Sequence, residues 1–177
     1  MDRRLSHAVL PAAAVVLADQ LSKRLVVSAV EPYAERIAVI PGFFDIIHVH
    51  NTGAAFSFLA DGAGWQRWFF VAVSIIAVLV LAGIIIRSQP SQRFTLLTLG
   101  LIMGGAAGNL VDRLFIGHVI DFLDVYVGSY HWPAFNVADS AISVGVVGLL
   151  VLIITNKERR APENAEQQTT IREERKS

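Results

Sequence analysis

Two aspartates, Asp121 and Asp139, lie close to one predicted boundary of a membrane, where a pair of carboxylates could carry out acid–base chemistry. Asp139 falls in the opening turns of the apolar stretch 136–155, and Asp121 lies in "VIDF", before the chain re-enters the membrane. Ionised side chains are costly in lipid and usually serve a function there. Because neighbouring carboxylates resist ionising together, one can accept a proton from water while its neutral partner donates a hydrogen bond to a carbonyl. The pair therefore favours hydrolysis without a covalent intermediate, a metal or a cofactor.

A second group of polar residues interrupts the predicted membrane helices. Asp19 and Lys23 are four residues apart in the first apolar stretch, so they share a helix face and can pair. This pair either fixes helix packing or contacts a substrate, and the spacing favours neither role over the other. Asn109, Asp112 and Arg113 occupy the last turns of the third stretch, where helical spacing allows them to form one hydrogen-bonded group.

Asn136 and Asp139 repeat the three-residue spacing at the start of the fourth stretch. Near a helix N-terminus Asp139 also gains from the helix dipole, and capping alone would explain that residue. Capping does not explain why the end of the third stretch and the start of the fourth are both rich in Asn and Asp. These two ends lie on the same side of the membrane and are joined by a short connection, so we expect them to be close together.

Other catalytic and metal-binding arrangements fit the sequence poorly. The chain has no cysteine, no HExxH zinc helix and no GxSxG nucleophile elbow. His48 and His50 alternate in a predicted strand, but no further ligand follows at a recognisable spacing. His118 and His131 have no serine placed beside them in the sequence. We therefore expect neither a metal nor a cofactor.

The composition is that of a membrane protein. The chain has 177 residues, of which 54% are hydrophobic, and its 15 basic and 15 acidic residues give no net charge. This balance argues against a nucleic-acid partner. Four apolar stretches are long enough, as helices, to cross the hydrocarbon core of a bilayer, at about 8–30, 68–86, 94–114 and 136–155. The sequence therefore predicts an α-helical integral membrane protein with a single domain, 1–156, and four transmembrane helices.

Lysine and arginine residues are distributed unequally about the four stretches. Ten fall in the N-terminus, the 87–93 connection and the C-terminal tail, against three in the opposite loops. Because such residues accumulate on the cytoplasmic side, we expect both termini in the cytoplasm and residues 31–67 outside. The tail, 157–177, is charged and rich in Gln and Glu, which predicts disorder.

Residues 31–67 are expected to form a cradle and flap on the outer side. "ERIAVI" and "FFDIIHVHN" predict two strands on either side of Pro41-Gly42, which is a hairpin signal. Residues 53–65 predict a short amphipathic segment lying at the membrane interface.

Glycines recur every four residues in the third apolar stretch, at Gly100, Gly104 and Gly108. This spacing places all three on one helix face, where small residues allow a neighbouring helix to come close. The glycine face therefore predicts tight helix packing.

Two other classes of function fit part of the pattern. A small transporter or proton-coupled channel could relay ions through Asp19, Lys23 and Asp112. A pore, however, needs polar groups through the depth of the bilayer, and the second and fourth stretches are nearly bare of them inside. A non-catalytic assembly subunit could use the glycine face for its contacts.

Five short strings, taken together and in this order, resemble the lipoprotein signal peptidases (signal peptidase II). They are "DQLSK" at 19–23, "NTGAAFS" at 51–57, "GGAAGNLVDR" at 104–113, "VIDF" at 119–122 and "FNVAD" at 135–139. The match runs from about residue 8 to residue 155 and includes all four predicted spans.

That resemblance implies an aspartic endopeptidase of the bacterial inner membrane, with its active site near the outer face. Such an enzyme removes the signal peptide from prolipoproteins by cutting just before a lipobox cysteine that carries a diacylglyceryl group. By motif position, Asp121 and Asp139 are the catalytic dyad. The residues implied to bind substrate or support the site are Asn51, Gly53, Asn109, Asp112, Arg113, Asn136, Asp19 and Lys23.

The resemblance also implies the surroundings of the site. It predicts a small extracytoplasmic β-sheet cradle and an interfacial helix over the dyad. Its implied partners are lipid-modified prolipoproteins and membrane lipid, with no metal, cofactor or nucleic acid, and the chain is expected to act as a monomer.

Overall fold

Four helices make up most of the described chain. The computed structural model describes residues 3–53 and 65–174. Within these residues the helices are α1 (Arg3–Ala29), α2 (Trp65–Arg87), α3 (Arg93–Phe115) and α4 (Val137–Glu174). Each begins and ends within a few residues of a predicted apolar stretch, except at the N-terminus of α1 and the C-terminus of α4.

Three segments of the described chain are long and apolar enough to cross a membrane, judged by length and composition alone. They are Trp65–Arg87, Arg93–Phe115 and Val137–Thr155. Helix α1 is 27 residues long, but Asp19, Lys23 and Arg24 break its apolar run. The three apolar spans are thus confirmed, and the fourth, through α1, stays a prediction.

Helix α3 lies at the centre of the bundle and packs against α1, α2 and α4. Its glycine face contacts α1, as the spacing predicted. A Cβ added at Gly104 would lie 2.6 Å from the carbonyl oxygen of Ala12, and one added at Gly108 would lie 2.8 Å from Oδ2 of Asp19. Gly105, on the adjacent face, lies against the backbone of Ala138 in α4. The absence of side chains at these positions lets three helices meet around the predicted site.

We expect Gly105→Val to lower the melting temperature and the yield of folded protein. The added Cβ would collide with the Ala138 carbonyl and would lie 2.6 Å from Cγ1 of Ile142, so α3 and α4 would have to separate. Overpacking of this kind costs about 1–3 kcal/mol. Gly83→Val is the matched control, because an added Cβ at Gly83 meets no atom within 4 Å. Unchanged stability of Gly105→Val would contradict the close contact between the two helices.

A four-stranded antiparallel sheet stands at one end of the bundle, in the order β1-β2-β3-β4. Its strands are β1 (Arg36–Ile40), β2 (Phe44–Asn51), β3 (Val119–Val127) and β4 (Tyr130–His131). The β1–β2 hairpin predicted around Pro41-Gly42 is confirmed, and Gly42 there has a φ of +81°, a conformation that favours glycine.

Strands β3 and β4 are the elements that the sequence analysis missed. The run "VIDFLDVYV" is rich in β-branched and aromatic residues, which is a strand signal. Its alternation is obscured because residues facing both sides of the sheet are buried over the first four positions. The strand carries Asp121, so its omission left that residue without a known support.

Two predictions concern segments at the limits of the described chain. Most of the amphipathic segment predicted at 53–65 falls at 54–64, outside the described residues. The disorder predicted for the tail, 157–177, stays a prediction, and the structure describes α4 as continuing to Glu174.

Candidate active site

Four elements bring five candidate residues to the end of the bundle beneath the sheet. Strand β2 ends at Asn51, β3 carries Asp121, and α3 carries Asn109 near its end. Asn136 immediately precedes α4, and Asp139 lies in its first turn. Residues distant in sequence therefore meet in one place, as the resemblance implied for the dyad and its asparagines.

Asp121 is buried, and two asparagines donate hydrogen bonds to its carboxylate. Asn51 Nδ2 lies 2.8 Å from Oδ2, and Asn136 Nδ2 lies 2.7 Å from Oδ1. Burial raises the pKa of the Asp121 carboxyl to about 6; the Asn51 hydrogen bond opposes this rise, and the nearby Asp139 carboxylate adds to it. The carboxyl can therefore exchange a proton near neutral pH.

Asp139 is held by the Asn109 side chain and by the backbone of Asn136. Asn109 Nδ2 donates to Oδ1 at 2.8 Å, and the Asn136 backbone N–H donates to Oδ2 at 3.3 Å. In return the Asp139 N–H donates to Asn136 Oδ1 at 2.9 Å, which makes a reciprocal cap at the start of α4. Asn136 therefore links the two carboxyl groups, because its side chain donates to Asp121 Oδ1 and its backbone N–H donates to Asp139 Oδ2. Asp139 therefore both takes part in the cap of α4 and belongs to the site.

A buried ion-pair network lies behind the two aspartates. Lys23 Nζ lies 2.8 Å from Asp19 Oδ2 and 2.7 Å from Asp112 Oδ2, and it donates to Asn109 Oδ1 at 3.1 Å. Asp19 Oδ1 accepts the backbone N–H of Ala138 at 3.0 Å. The predicted Asp19–Lys23 pair is confirmed, and its burial and its bonds to α3 and α4 favour the packing role over contact with substrate.

The predicted bonding of Asn109, Asp112 and Arg113 with one another was wrong in its partners. Asp112 instead accepts from Gln20 Nε2 at 2.8 Å, from the Ile120 backbone N–H at 3.3 Å and from Lys23. The one bond within the trio is a long one, 3.4 Å from Arg113 Nη1 to the backbone oxygen of Asn109. Helical spacing shows which residues share a face, but the partners are on the neighbouring helix.

Gly53 orients Asn51, which explains why both belong to the site. The Gly53 N–H donates to Asn51 Oδ1 at 2.8 Å, which directs the amide nitrogen of Asn51 toward Asp121. Gly53 has a φ of +91°, and any Cβ there would collide with the ring of Phe70. Only glycine fits this backbone.

Two supporting residues escaped sequence reasoning. Gln20 bonds Asp112 across the α1–α3 interface, and Arg67 donates to the backbone oxygens of Arg113 and Leu114 at 2.8 and 2.7 Å. A polar residue next to Asp19 in an apolar stretch was the available signal for Gln20. Arg67 lies just outside the second predicted stretch and gave none.

The histidines of the sheet bond to one another and to the backbone. Nε2 of His50 lies 3.2 Å from Nε2 of His48, whose Nδ1 donates to the Val30 carbonyl at 2.9 Å. Over residues 3–53 and 65–174, no three His, Cys, Asp or Glu side chains are arranged to hold a metal ion.

We expect Asp112→Asn to reduce stability and turnover only in part. An amide keeps the size of the carboxylate and Lys23 retains Asp19, but the 2.7 Å ion pair is lost. Breaking a buried pair costs up to about 3–5 kcal/mol when the remaining charge is left alone, and here it is not. Thermal unfolding and kcat should be measured together. Abolished turnover with intact stability and substrate binding would place Asp112 in the catalytic pair and contradict our assignment.

Known proteins resemble this chain over most of its length. The family model described as signal peptidase (SPase) II matches residues 11–155. The lipoprotein signal peptidase of Alteromonas mediterranea is 47% identical over 146 residues, covering 82% of this chain and 79% of that protein. The lipoprotein signal peptidase of Cupriavidus taiwanensis is 53% identical over 137 residues, covering 77% of this chain and 76% of that protein.

Two solved structures of bacterial membrane enzymes, both obtained by the in meso method, are similar in fold. The one at 2.3 Å resolution has a TM-score of 0.76 and 30% sequence identity, over 88% of this chain and 92% of that chain. The one at 1.9 Å resolution has the same TM-score and 31% identity, over 84% and 93%.

Proposed function

Because the chain belongs to the signal peptidase II family, we propose that it cleaves prolipoproteins just before a lipobox cysteine that carries a diacylglyceryl group. Membership makes it an aspartic peptidase that removes signal peptides from prolipoproteins. The observation that carries the finer proposal is the pair of carboxyl groups, the buried Asp121 and the half-buried Asp139, which the side chain and the backbone N–H of Asn136 link.

In the proposed mechanism, one carboxyl group of the pair is ionised and the other is protonated. The ionised group takes a proton from water, whose oxygen attacks the scissile carbonyl, while the protonated group donates a hydrogen bond to the carbonyl oxygen. The tetrahedral intermediate then collapses with cleavage of the C–N bond, and the carboxyl group that took the proton from water passes it to the leaving amine, so the pair again holds one proton. The raised pKa of Asp121 supports this division, since carboxyl groups with ordinary pKa values would both be ionised at neutral pH.

The remaining site residues position the pair in this proposal. Asn51, Asn109 and Asn136 donate to the carboxylates and fix their orientation. Lys23 donates to Asn109, which in turn donates to Asp139, so the ion-pair network positions Asp139 through Asn109. Fixing both reacting groups before substrate arrives lowers the entropic cost of reaching the transition state.

A groove beside Asp139 supports access from the lipid. It has a volume of about 470 Å³, and its lining includes Trp132, Phe135, Asp139, Ser143 and Val144. Trp132 and Val144 are about 60% exposed, so this side of α4 has an apolar surface that suits membrane lipid. A substrate anchored by acyl chains could thus reach the carboxyl groups laterally.

We place the protein in the bacterial inner membrane as a four-span monomer, with both termini in the cytoplasm and the sheet outside. The three apolar helices support membrane insertion, and the ten-to-three distribution of Lys and Arg supports the orientation. A Ser177→Cys variant should resist labelling by an impermeant maleimide in intact spheroplasts and react after permeabilisation, with no background because the chain has no cysteine. Labelling in intact spheroplasts would contradict this topology and place the C-terminus outside.

The reaction itself is tested with two peptides that differ only in lipidation. Purified protein should cut a lipobox peptide carrying a diacylglyceryl cysteine, with the new N-terminus at that cysteine, and should leave the unlipidated peptide intact. Mass spectrometry identifies the product. Cleavage of both peptides would remove the lipid requirement, and cleavage of neither would contradict the proposed reaction.

A further inference from the structure

A second groove lies between α1 and α3, near the same end of the bundle as the site. It has a volume of about 540 Å³. We call it the α1–α3 groove, and its lining includes Arg24, Val27, Val111, Asp112, Phe115 and Ile116. It is separate from the groove beside Asp139, with which it shares no residue.

The walls of the α1–α3 groove suit an acyl chain. Val27, Phe115 and Ile116 are 49%, 81% and 47% exposed, although each is apolar. Exposed apolar side chains on helices that cross a membrane face lipid, so a lipid chain is the expected occupant. This step rests on the membrane placement of α1 proposed above.

Arg24 gives the groove a positive charge, and an acyl chain alone has no negative group to pair with it. Its side chain is exposed on α1, five residues before the helix ends at Ala29, and it makes no hydrogen bond or ion pair with any residue in 3–53 or 65–174. The nearby carboxylates, Asp19 and Asp112, are already paired with Lys23. A cation this far along a membrane helix reaches the interface by extending its side chain, and the anion found there is lipid phosphate.

We propose that the α1–α3 groove binds a glycerophospholipid of the outer leaflet, with its phosphate on Arg24 and one acyl chain along Val27 and Phe115. The phosphate distinguishes this lipid from the diacylglyceryl group of the substrate, which carries none. The bound lipid also lies against Lys23 and Asp112, which line the groove. It therefore shields the ion pairs that hold Asn109 and, through it, Asp139.

Binding is measured on the detergent-purified full chain by native mass spectrometry and by thermal unfolding. Dioleoylphosphatidylglycerol should bind and raise the melting temperature, and Arg24→Gln should reduce that rise. Dioleoylglycerol, with the same chains and no phosphate, should give a smaller rise that Arg24→Gln leaves unchanged, and inorganic phosphate alone should give none. Arg24→Gln should weaken the dissociation constant about fivefold, the effect of one cation near a lipid phosphate. Val27→Trp, at a half-exposed position, should fill the groove and also weaken binding.

Arg93→Gln, at the start of α3, is the control variant and should bind the lipid like the wild type. Wild-type affinity in both Arg24→Gln and Val27→Trp would overturn the proposal. So would equal stabilisation by dioleoylglycerol, which would make the groove purely apolar, or by inorganic phosphate, which would make it an anion site without lipid. Because binding is read without turnover, either result leaves the proposed peptidase reaction to its own test.

Discussion

Asp121→Asn and Asp139→Asn should each lower kcat by on the order of 10⁴-fold while the protein stays folded. If one carboxyl group accepts the proton of water and the other polarises the carbonyl, neither step has a substitute in the site. An amide has the size of a carboxyl group and keeps one oxygen, so each variant retains one of the two hydrogen bonds that the carboxylate accepts and should stay folded. Turnover of a lipidated peptide and its binding affinity should be measured for both variants, and binding should be close to that of the wild type.

The double variant should be little worse than either single variant, as is usual for groups that act as a unit. Asp124→Asn is the matched control, because Asp124 is a buried carboxylate on the same strand, three residues away and on the other face. It accepts from His131 Nδ1 at 2.9 Å, a bond that an amide oxygen can keep, so most activity should remain. Turnover at the wild-type rate by Asp139→Asn would disprove the dyad.

Asn136→Leu is the second change expected to have a large effect, lowering kcat by about 100-fold or more. Leu is close to Asn in shape, so burial is kept, but the side-chain bonds to Asp121, Asn109 and the Asp139 backbone are lost. Groups misplaced by about 1 Å can lose 100-fold in rate. Thermal unfolding should be recorded alongside kcat, because a buried N–H is also left unpaired.

The pH profile of Asn136→Leu distinguishes an effect on the pKa of Asp121 from a purely structural effect, which would leave the profile unchanged. Burial raises the pKa of Asp121 to about 6 in the enzyme without substrate, so wild-type kcat/KM should show an ionisation near that pH. The Asn136 hydrogen bond favours the ionised form and so lowers the pKa; removing it should shift the ionisation to higher pH. Asn51→Leu should shift it in the same direction, since its bond to Asp121 acts alike. If neither variant moves the ionisation, Asp121 is not the group that titrates.

Local patterns predicted the helices and the first hairpin because each is determined by neighbouring residues. The 94–114 stretch and the Pro41-Gly42 turn contain their own signals of length, hydropathy and backbone conformation. Strand β3 was missed because burial on both faces removes the alternation by which a strand is recognised. The sequence motifs identified Asp121 and Asp139 as candidates. The hydrogen bonds among the residues that support them depend on how α1 packs against α3. Gln20 and Asp112 are 92 residues apart in sequence, and no spacing rule relates them.

The hydrogen bond from the Ala138 backbone to Asp19 joins residues 119 positions apart, and it has a consequence for biosynthesis. A nascent chain in which only the first three helices have been inserted contains Asp19, Lys23 and Asn109, but Asp139 enters only with the fourth helix. During this interval Asp19 and Lys23, one turn apart, neutralise each other, so α1 can enter lipid before α3 and α4 are available as partners. If Asp121 and Asp139 are the catalytic pair, proteolytic competence arises only with the insertion of the last helix, and the unfinished peptidase is inactive toward its neighbours at the translocon.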